Sequence, residues 1–160
     1  MNRIPPNLIP VINGYLRSAP VNVAGMANDF GLSIFESDLA NGVSGAIIRD
    51  ETYKTPSGFV IFVNSKEAYV RQRFTAAHEI GHFVLHKDKI GNGIEDNYLL
   101  RSSELSTATE REANKFAADI LMPYDLIESY VAQGVSTVPA LAKLFEVSEI
   151  AMAIRLGHPT

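Results

Sequence analysis

Apolar residues recur at helical spacing in two segments near the start of the chain. In Leu8–Leu16 they stand three or four positions apart, and a second such run follows Pro20 and reaches Phe30. This spacing gathers apolar side chains on one helix face and predicts two amphipathic helices. Gly31 directly follows the second run. Because glycine accepts the left-handed conformation of a helix end, we expect the second helix to end there.

Three short apolar segments rich in β-branched residues then predict strands, at Leu32–Phe35, Ser44–Ile48 and Phe59–Val63. Loop-forming residues within Asp50–Gly58 separate the last two. We expect a small antiparallel or mixed three-stranded sheet. Phe59–Val63 is either an edge strand, along which a peptide can lie as an added strand, or a central strand paired on both sides.

Helical spacing returns after the strands, over Val70–His86 and again over Thr109–Met122, where Pro123 closes the second helix. A polar Gly91-Asn92-Gly93 segment and an irregular stretch lie between these helices. Strands followed by a run of helices are typical of an α+β fold. We therefore expect a small sheet packed on helices.

The segment 137–156 predicts two short helices, with Ser148 as the N-cap of the second. No linker, repeat or low-complexity tract divides the sequence, and 160 residues is an ordinary size for one domain. We interpret 1–160 as a single domain in which 137–156 is a helical tail packed on the core. A DNA-binding helix-turn-helix is the alternative for this tail, but Lys143 and Arg155 are too few cations for much phosphate contact.

The amino-acid composition limits the classes of protein to which this chain can belong and the residue types that can bind a metal in it. With 46% hydrophobic and 20% charged residues, the chain resembles ordinary globular proteins. A formal net charge of −4 argues against direct nucleic-acid binding. No apolar run is long enough to span a membrane, and early prolines argue against a signal peptide, so we expect a cytoplasmic protein. Cysteine is absent, so a metal site must use His, Asp or Glu.

The chemistry of the chain is concentrated in His78-Glu79-Ile80-Gly81-His82. Residues four apart lie on the same face of a helix, so His78 and His82 can both turn a ring nitrogen toward one zinc ion. Glu79 lies about 100° around the helix from His78 and can take a proton from a water molecule that zinc has acidified. The spacing therefore predicts a zinc peptidase with Glu79 as general base. Two exposed histidines on a structural helix are the competing interpretation.

A catalytic zinc ion commonly has three protein ligands, so one more ligand must come from another segment. Glu110 is our choice because it begins the next apolar helix, which can pack beside the first. Glu112 and Glu104 are the alternatives, and Glu112 would point to another face of the helix that carries Glu110.

Two long segments carry a resemblance to a known family. Arg73–His86 contains the histidine motif, and Glu110–Pro123 begins Glu-Arg-Glu-Ala-Asn and ends Leu-Met-Pro. Together they resemble the ImmA/IrrE family of metallopeptidases, and the likeness extends to the strand before the first segment and to Leu141–Ser148. The resemblance implies a thermolysin-like zinc peptidase core in which Glu110, the first glutamate of Glu-x-x-Ala-Asn, is the third ligand.

The resemblance also implies a partner and a context. Members of the family cleave, or are proposed to cleave, helix-turn-helix repressors encoded in prophages, mobile elements or toxin–antitoxin pairs. We therefore expect a zinc-dependent endopeptidase that acts on such a regulator or antitoxin. The alternative is a non-catalytic interaction module that binds the regulator and uses zinc only to hold its fold.

Further polar residues are candidates for supporting roles. His86 lies too far along the helix from His78 to complete the ligand set, so its better interpretation is packing, or orienting a ligand or an acidic neighbour. Asn114 either orients a histidine ligand or is an ordinary polar position. An oxyanion stabiliser is also expected, and the candidates are Tyr98, Tyr124 and Arg155. His158 is expected to be solvated, and family likeness favours Phe59–Val63 as the strand that receives substrate.

Overall fold

The computed structural model describes residues 4–91, 93–97 and 107–158. The elements in chain order are α1 (Ile9–Tyr15), α2 (Val23–Asp29), β1 (Ser33–Ser37), β2 (Val43–Arg49), β3 (Phe59–Asn64), α3 (Tyr69–Leu85), a 3-10 turn (Lys87–Lys89), β4 (Gly93–Asn97), α4 (Thr107–Leu121), α5 (Tyr124–Ala132), α6 (Val138–Phe145) and α7 (Glu149–Arg155). A small sheet packs on helices, so the predicted α+β fold class is confirmed. Within the described residues no helix is long and apolar enough to cross a membrane.

The sheet is mixed, as expected, and has the strand order β1-β3-β2-β4. Strand β1 runs parallel to β3, whereas β2 is antiparallel to both β3 and β4. The three predicted strands are all present, and Gly93–Asn97 adds a fourth at one edge. Its sequence, Gly-Ile-Glu-Asp-Asn, has one apolar residue, so it lacks the pattern from which a strand is predicted. This segment is instead identified as a strand by its pairing with β2, which lies far away in the sequence.

Strand β3 lies inside the sheet, which corrects the prediction that Phe59–Val63 is an edge strand for substrate. Ile61 is paired with Ile34 of β1 on one side and with Ile47 of β2 on the other. A strand whose backbone is paired on both sides has no free groups to offer a peptide. Of the described strands, β1 and β4 are the ones with a free edge.

Helix α3 is buried along most of its length. Every residue from Thr75 to Val84 is buried, including the polar side chains of His78, Glu79 and His82. The helix packs against β2 and β3 on one side and against α4 on another. A helix covered on several faces can carry polar groups only where they meet partners. The buried polar groups of α3 therefore mark the part of the fold where chemistry is concentrated.

Gly45 allows β2 to approach α3 closely. A Cβ atom at this position would lie 2.5 Å from Cγ2 of Thr75 and 2.7 Å from the carbonyl oxygen of Phe62. It would also lie 3.6 Å from Oε2 of Glu79. Because one of these neighbours is backbone, the strand or the helix would have to move to make room for a side chain.

We expect Gly45→Ala to lower the free energy of unfolding by about 1–3 kcal/mol, the usual cost of overpacking. Gly14→Ala is the matched control, because Gly14 lies in α1 with no other atom within 4 Å of an added Cβ. The control is expected to gain about 0.5–1 kcal/mol, since alanine favours the helix. Urea denaturation followed by circular dichroism measures both changes. Equal stability of the two variants would contradict a steric role for Gly45.

Helices α6 and α7 lie within 137–156, the segment that we interpret as a helical tail. Leu141 and Phe145 are completely buried in the main hydrophobic cluster, and the ring of Phe145 lies 5.8 Å from that of Tyr130 in α5. Arg73 of α3 donates hydrogen bonds to the carbonyl oxygens of Phe145 and Glu146 at the end of α6. The tail therefore packs on the helix that carries the two histidines.

The N-cap prediction for the last helix is confirmed. Ser148 accepts a hydrogen bond from the backbone N–H of Ala151, and Thr137 caps α6 in the same way. Helix α5 was not predicted, although its apolar residues Leu126, Ile127 and Tyr130 have helical spacing. Pro123 was interpreted only as the end of α4, but it also stands at the start of α5.

The single-domain interpretation stays a prediction that Phe145→Ala tests. Truncation of this buried ring is expected to cost about 3–5 kcal/mol, as for other large-to-small changes in cores. If 1–160 is one cooperative unit, the whole chain should lose stability in a single transition, observed alike by circular dichroism and tyrosine fluorescence. Two separated transitions, with only the first shifted, would show that the tail unfolds independently.

Candidate metal and catalytic site

The structure brings His78, His82 and Glu110 together at the contact between α3 and α4. Nε2 of His78 lies 3.2 Å from Oε2 of Glu110, and Nε2 of His82 lies 3.4 Å from Oε1 of the same carboxylate. The ligand atoms of the three residues all lie within 4.8 Å of one another, and all three residues are buried. The two histidines project from one face of α3, as their spacing predicts.

Close packing of the two helices makes this convergence possible. Gly81 lies between the histidines in the direction of α4, and a Cβ atom there would lie 3.1 Å from the ring of Phe116 and 3.3 Å from the carbonyl oxygen of Ala113. Ala113, Phe116, Ala117 and Ile120 form the buried face of α4. Because small residues face each other at the contact, the first turn of α4 brings the Glu110 carboxylate to the histidines.

The three ligand atoms fit a zinc ion by type and by separation. Two ligands of a tetrahedral zinc ion, each bonded at about 2.0–2.1 Å, lie about 3.3 Å apart. The two measured separations from Glu110 to the histidine nitrogens, 3.2 and 3.4 Å, match this value. Two histidine nitrogens and one carboxylate are also a common ligand set of catalytic zinc. The residues present therefore fit the metal that the sequence predicts.

The outer nitrogens of the two histidines have different partners. Nδ1 of His78 lies 2.8 Å from Oδ1 of Asn114, one turn after Glu110 on α4. Since an amide oxygen accepts hydrogen bonds, His78 carries its proton on Nδ1 and has a lone pair on Nε2. Nδ1 of His82 instead lies 3.0 Å from Nδ1 of His86. Of the two interpretations of Asn114, the structure favours the one in which it orients a histidine.

His86 and Glu112 form a pair outside the three-residue cluster. Nε2 of His86 lies 2.8 Å from Oε1 of Glu112. Burial lowers the pKa of the His86 imidazole, an effect that outweighs the hydrogen bond to Glu112, and that hydrogen bond lowers the pKa of the Glu112 carboxyl. Glu112, an alternative third ligand, contacts His86 instead of the cluster. The other alternative, Glu104, lies outside the described residues.

Glu79 is completely buried on the side of α3 that faces β2. It is adjacent in sequence to His78, which places its carboxylate about 100° around the helix from that ligand. The absence of a side chain at Gly45 leaves room between the strand and this carboxylate. The carboxylate that the sequence predicts as a general base is thus buried beside the helix face that carries His78 and His82.

The oxyanion candidates that the structure describes lie away from the cluster. Arg155 donates hydrogen bonds to the carbonyl oxygen of Met122 and to Asp119, and its guanidinium stacks 3.7 Å from the ring centroid of Tyr124. Asp119 is nine residues beyond Glu110 on α4, which corresponds to about 14 Å along the helix axis. These contacts hold Arg155 and Tyr124 at the far end of α4.

Two further predicted residues complete the comparison. Tyr98, the remaining oxyanion candidate, lies outside the described residues, and His158 is exposed, as expected.

Among the described residues, the partnership of Glu112 with His86 is the feature that sequence reasoning missed. Its signal was the presence of a carboxylate two residues after Glu110 and a histidine four residues after His82.

Comparison with known families agrees with this geometry. Residues 27–157 match the IrrE N-terminal-like domain, a peptidase family, and this range includes every residue of the cluster. The chain belongs to that family. The resemblance to ImmA/IrrE metallopeptidases that the two sequence motifs indicated is thereby confirmed.

Two relatives of this IrrE-like chain are named radiation response metalloprotease IrrE. The protein from Deinococcus deserti is 31% identical over 146 residues, a match that covers 84% of this chain and 51% of the relative. The protein from Deinococcus radiodurans is 37% identical over 102 residues, covering 63% of this chain and 30% of the relative. The chain thus spans about half, or less, of the length of the relatives that it matches.

A solved structure shares the fold of this IrrE-like chain. It is a Mycobacterium tuberculosis transcriptional regulator with a TM-score of 0.57 and 22% sequence identity. The match covers 84% of this chain and 40% of the regulator. At this identity the likeness shows a common fold.

Proposed function

We propose that this IrrE-like chain is a zinc-dependent endopeptidase in which His78, His82 and Glu110 bind the metal and Glu79 is the general base. One observation carries the proposal: two histidine nitrogens lie 3.2 and 3.4 Å from the oxygens of one buried carboxylate. Two imidazole nitrogens and a carboxylate brought this close together match the ligand set and the spacing of a catalytic zinc ion. Membership of a peptidase family and the metalloprotease names of two relatives support the same assignment.

The roles of the residues follow from their positions. A zinc ion at this cluster would supply a positive charge that polarises a peptide carbonyl and acidifies a water molecule. Glu79 accepts a proton from that water as its oxygen bonds to the carbonyl carbon. When the C–N bond breaks, Glu79 returns the proton to the departing amine nitrogen, so the carboxylate is ionised again. Burial of Glu79 excludes bulk water, which would otherwise compete for the same proton.

The substrate that we propose is a regulatory protein, either a helix-turn-helix repressor or an antitoxin. The likeness to the ImmA/IrrE family supports this choice, and the net charge of −4 argues against nucleic acid as the direct partner. We further propose that the enzyme acts in the cytoplasm, where such regulators bind DNA.

Co-expression with the helix-turn-helix regulator encoded nearest to the gene tests the function and the substrate class. We expect wild type to shorten the regulator and Glu79→Gln to leave it intact, as followed by mass spectrometry. Stable binding without shortening by either form would instead indicate an interaction module in which zinc only holds the fold. Glu79 separates the two hypotheses because a structural metal site has no need of a base beside it.

A further inference from the structure

The protonation of His86 follows from its partner on the outer side. Nε2 of His86 lies 2.8 Å from an oxygen of Glu112, a half-exposed glutamate carboxylate. An ionised carboxylate can only accept, so Nε2 of His86 carries a hydrogen. The Nδ1 atoms of His86 and His82 lie 3.0 Å apart, so one of the two donates a hydrogen bond and the other accepts it.

The protonation of His82 follows in turn. A neutral His86 that carries its hydrogen on Nε2 has an acceptor lone pair on Nδ1. That atom lies 3.0 Å from Nδ1 of His82, so His82 must donate from Nδ1. Its own lone pair then lies on Nε2, the atom that lies 3.4 Å from Glu110. The direction of both hydrogen bonds thus follows from the carboxylate acceptor at Glu112.

We propose that Glu112 and His86 are positioning residues that fix His82 in the Nδ1-protonated tautomer and so present its Nε2 to the metal. The inference rests on the proposed zinc site. Asn114 contacts the ring of His78 directly, whereas Glu112 acts on His82 through the ring of His86. Helix α4 thereby supplies both the ligand Glu110 and, two residues later, the carboxylate that orients a ligand on α3.

The exposure of Glu112 distinguishes this role from an ordinary ion pair. Its side chain is 48% exposed, whereas that of His86 is 4% exposed. A half-exposed carboxylate commonly adds little to stability, so truncation should leave the fold intact. If the proposal holds, the same truncation reduces the affinity for zinc, because neutral His86 is then free to adopt the other tautomer. For truncation of Glu112 we therefore expect weaker zinc binding together with an unchanged free energy of unfolding.

The tautomers of the zinc-loaded wild-type protein provide the first test. Two-bond proton–nitrogen correlation spectra of protein labelled with nitrogen-15 in histidine identify the protonated nitrogen of each ring. We expect hydrogen on Nδ1 of His82 and on Nε2 of His86. Hydrogen on Nδ1 of His86, or on both of its nitrogens, would overturn the proposal.

Zinc affinity, measured by competition with a chromogenic chelator, provides the second test. We expect Glu112→Ala to raise the dissociation constant of zinc by about 10–100-fold, the range found when outer partners of metal ligands are removed. Glu112→Gln should lose less, because its amide oxygen can still accept from His86. Glu128→Gln is the control, since Glu128 is exposed on α5, and it should bind zinc as wild type does.

Two outcomes separate this inference from the proposed function. If wild type binds zinc tightly and Glu112→Ala binds it equally well, the positioning role fails while the metal site stands. If wild type binds no zinc, the proposed function fails and the inference fails with it. His86→Leu provides a further comparison, because it removes the acceptor for His82 directly and should weaken zinc binding at least as much as Glu112→Ala.

Discussion

Purified Glu79→Gln protein is expected to hold as much zinc as wild type and to cleave its substrate about 10²–10⁴ times more slowly, the usual contribution of a general base. The exchange replaces one carboxylate oxygen by an amide nitrogen of nearly the same size. It therefore fits the completely buried space beside β2 without disturbing His78 or His82. The amide cannot take a proton at neutral pH, so the loss should fall on the chemical step. Zinc content and single-turnover cleavage rate are the two measurements.

Glu128→Gln is a matched control for this experiment, because it makes the same chemical change at an exposed position on α5. The control should retain both the metal and the cleavage rate. Loss of zinc from Glu79→Gln would show that Glu79 helps to hold the metal and that its proposed role is incomplete. An unchanged cleavage rate in Glu79→Gln, with purity established by mass spectrometry, would contradict its assignment as the base.

The parts of the fold that could be predicted from the sequence are those whose signal is local. Helices α3 and α4 were predicted because their apolar positions repeat at helical spacing over 17 and 15 residues. The approach of Glu110 to the two histidines was predicted from the four-residue spacing of His78 and His82 together with the next apolar helix. Both inferences need only the geometry of a helix and one helix–helix contact.

The features that escaped prediction depend on pairing between distant segments. Strand β4 has little apolar pattern of its own and is defined by its hydrogen bonds to β2, about 50 residues earlier in the chain. The central position of β3 likewise follows from a parallel partner, β1, that enters the sheet on its other side. A strand's own sequence carries little information about which of its two edges is paired.

The role of Glu112 illustrates the same limit among side chains. Glu110 and Glu112 stand about 200° apart around α4, so helix geometry correctly separates one from the other. It does not show what the second carboxylate meets, because His86 lies beyond the end of α3 at its C-cap. The pairing of Glu112 with His86 depends on how the two helices cross, which spacing within either helix does not determine.

Glu110→Gln is expected to have opposite effects on the metal-loaded and the metal-free protein. The neutral amide is a poor zinc ligand, so zinc affinity should fall by more than the roughly 100-fold that loss of an outer partner causes. Zinc that binds only the folded state stabilises it by about 2.7 kcal/mol at 100 times its dissociation constant. At a fixed zinc concentration near that value, the variant should lose most of this increment, which thermal denaturation would show as a lower Tm.

Without zinc the order of stability should reverse. In metal-free wild type the buried Glu110 carboxylate lies 3.2 and 3.4 Å from two histidine nitrogens. Asn114 makes His78 present a lone pair to the carboxylate, and the proposed role of Glu112 and His86 does the same for His82. Glutamine removes the negative charge, and its amide N–H can donate to one of these lone pairs. Because the exchange replaces a buried charge by a neutral group that can both donate and accept, we expect metal-free Glu110→Gln to be more stable than metal-free wild type by about 1–3 kcal/mol. Urea denaturation in the presence of a chelator measures the difference. A metal-free variant less stable than metal-free wild type would show that the carboxylate and the histidines stabilise one another without a metal ion, which would contradict the expected reversal.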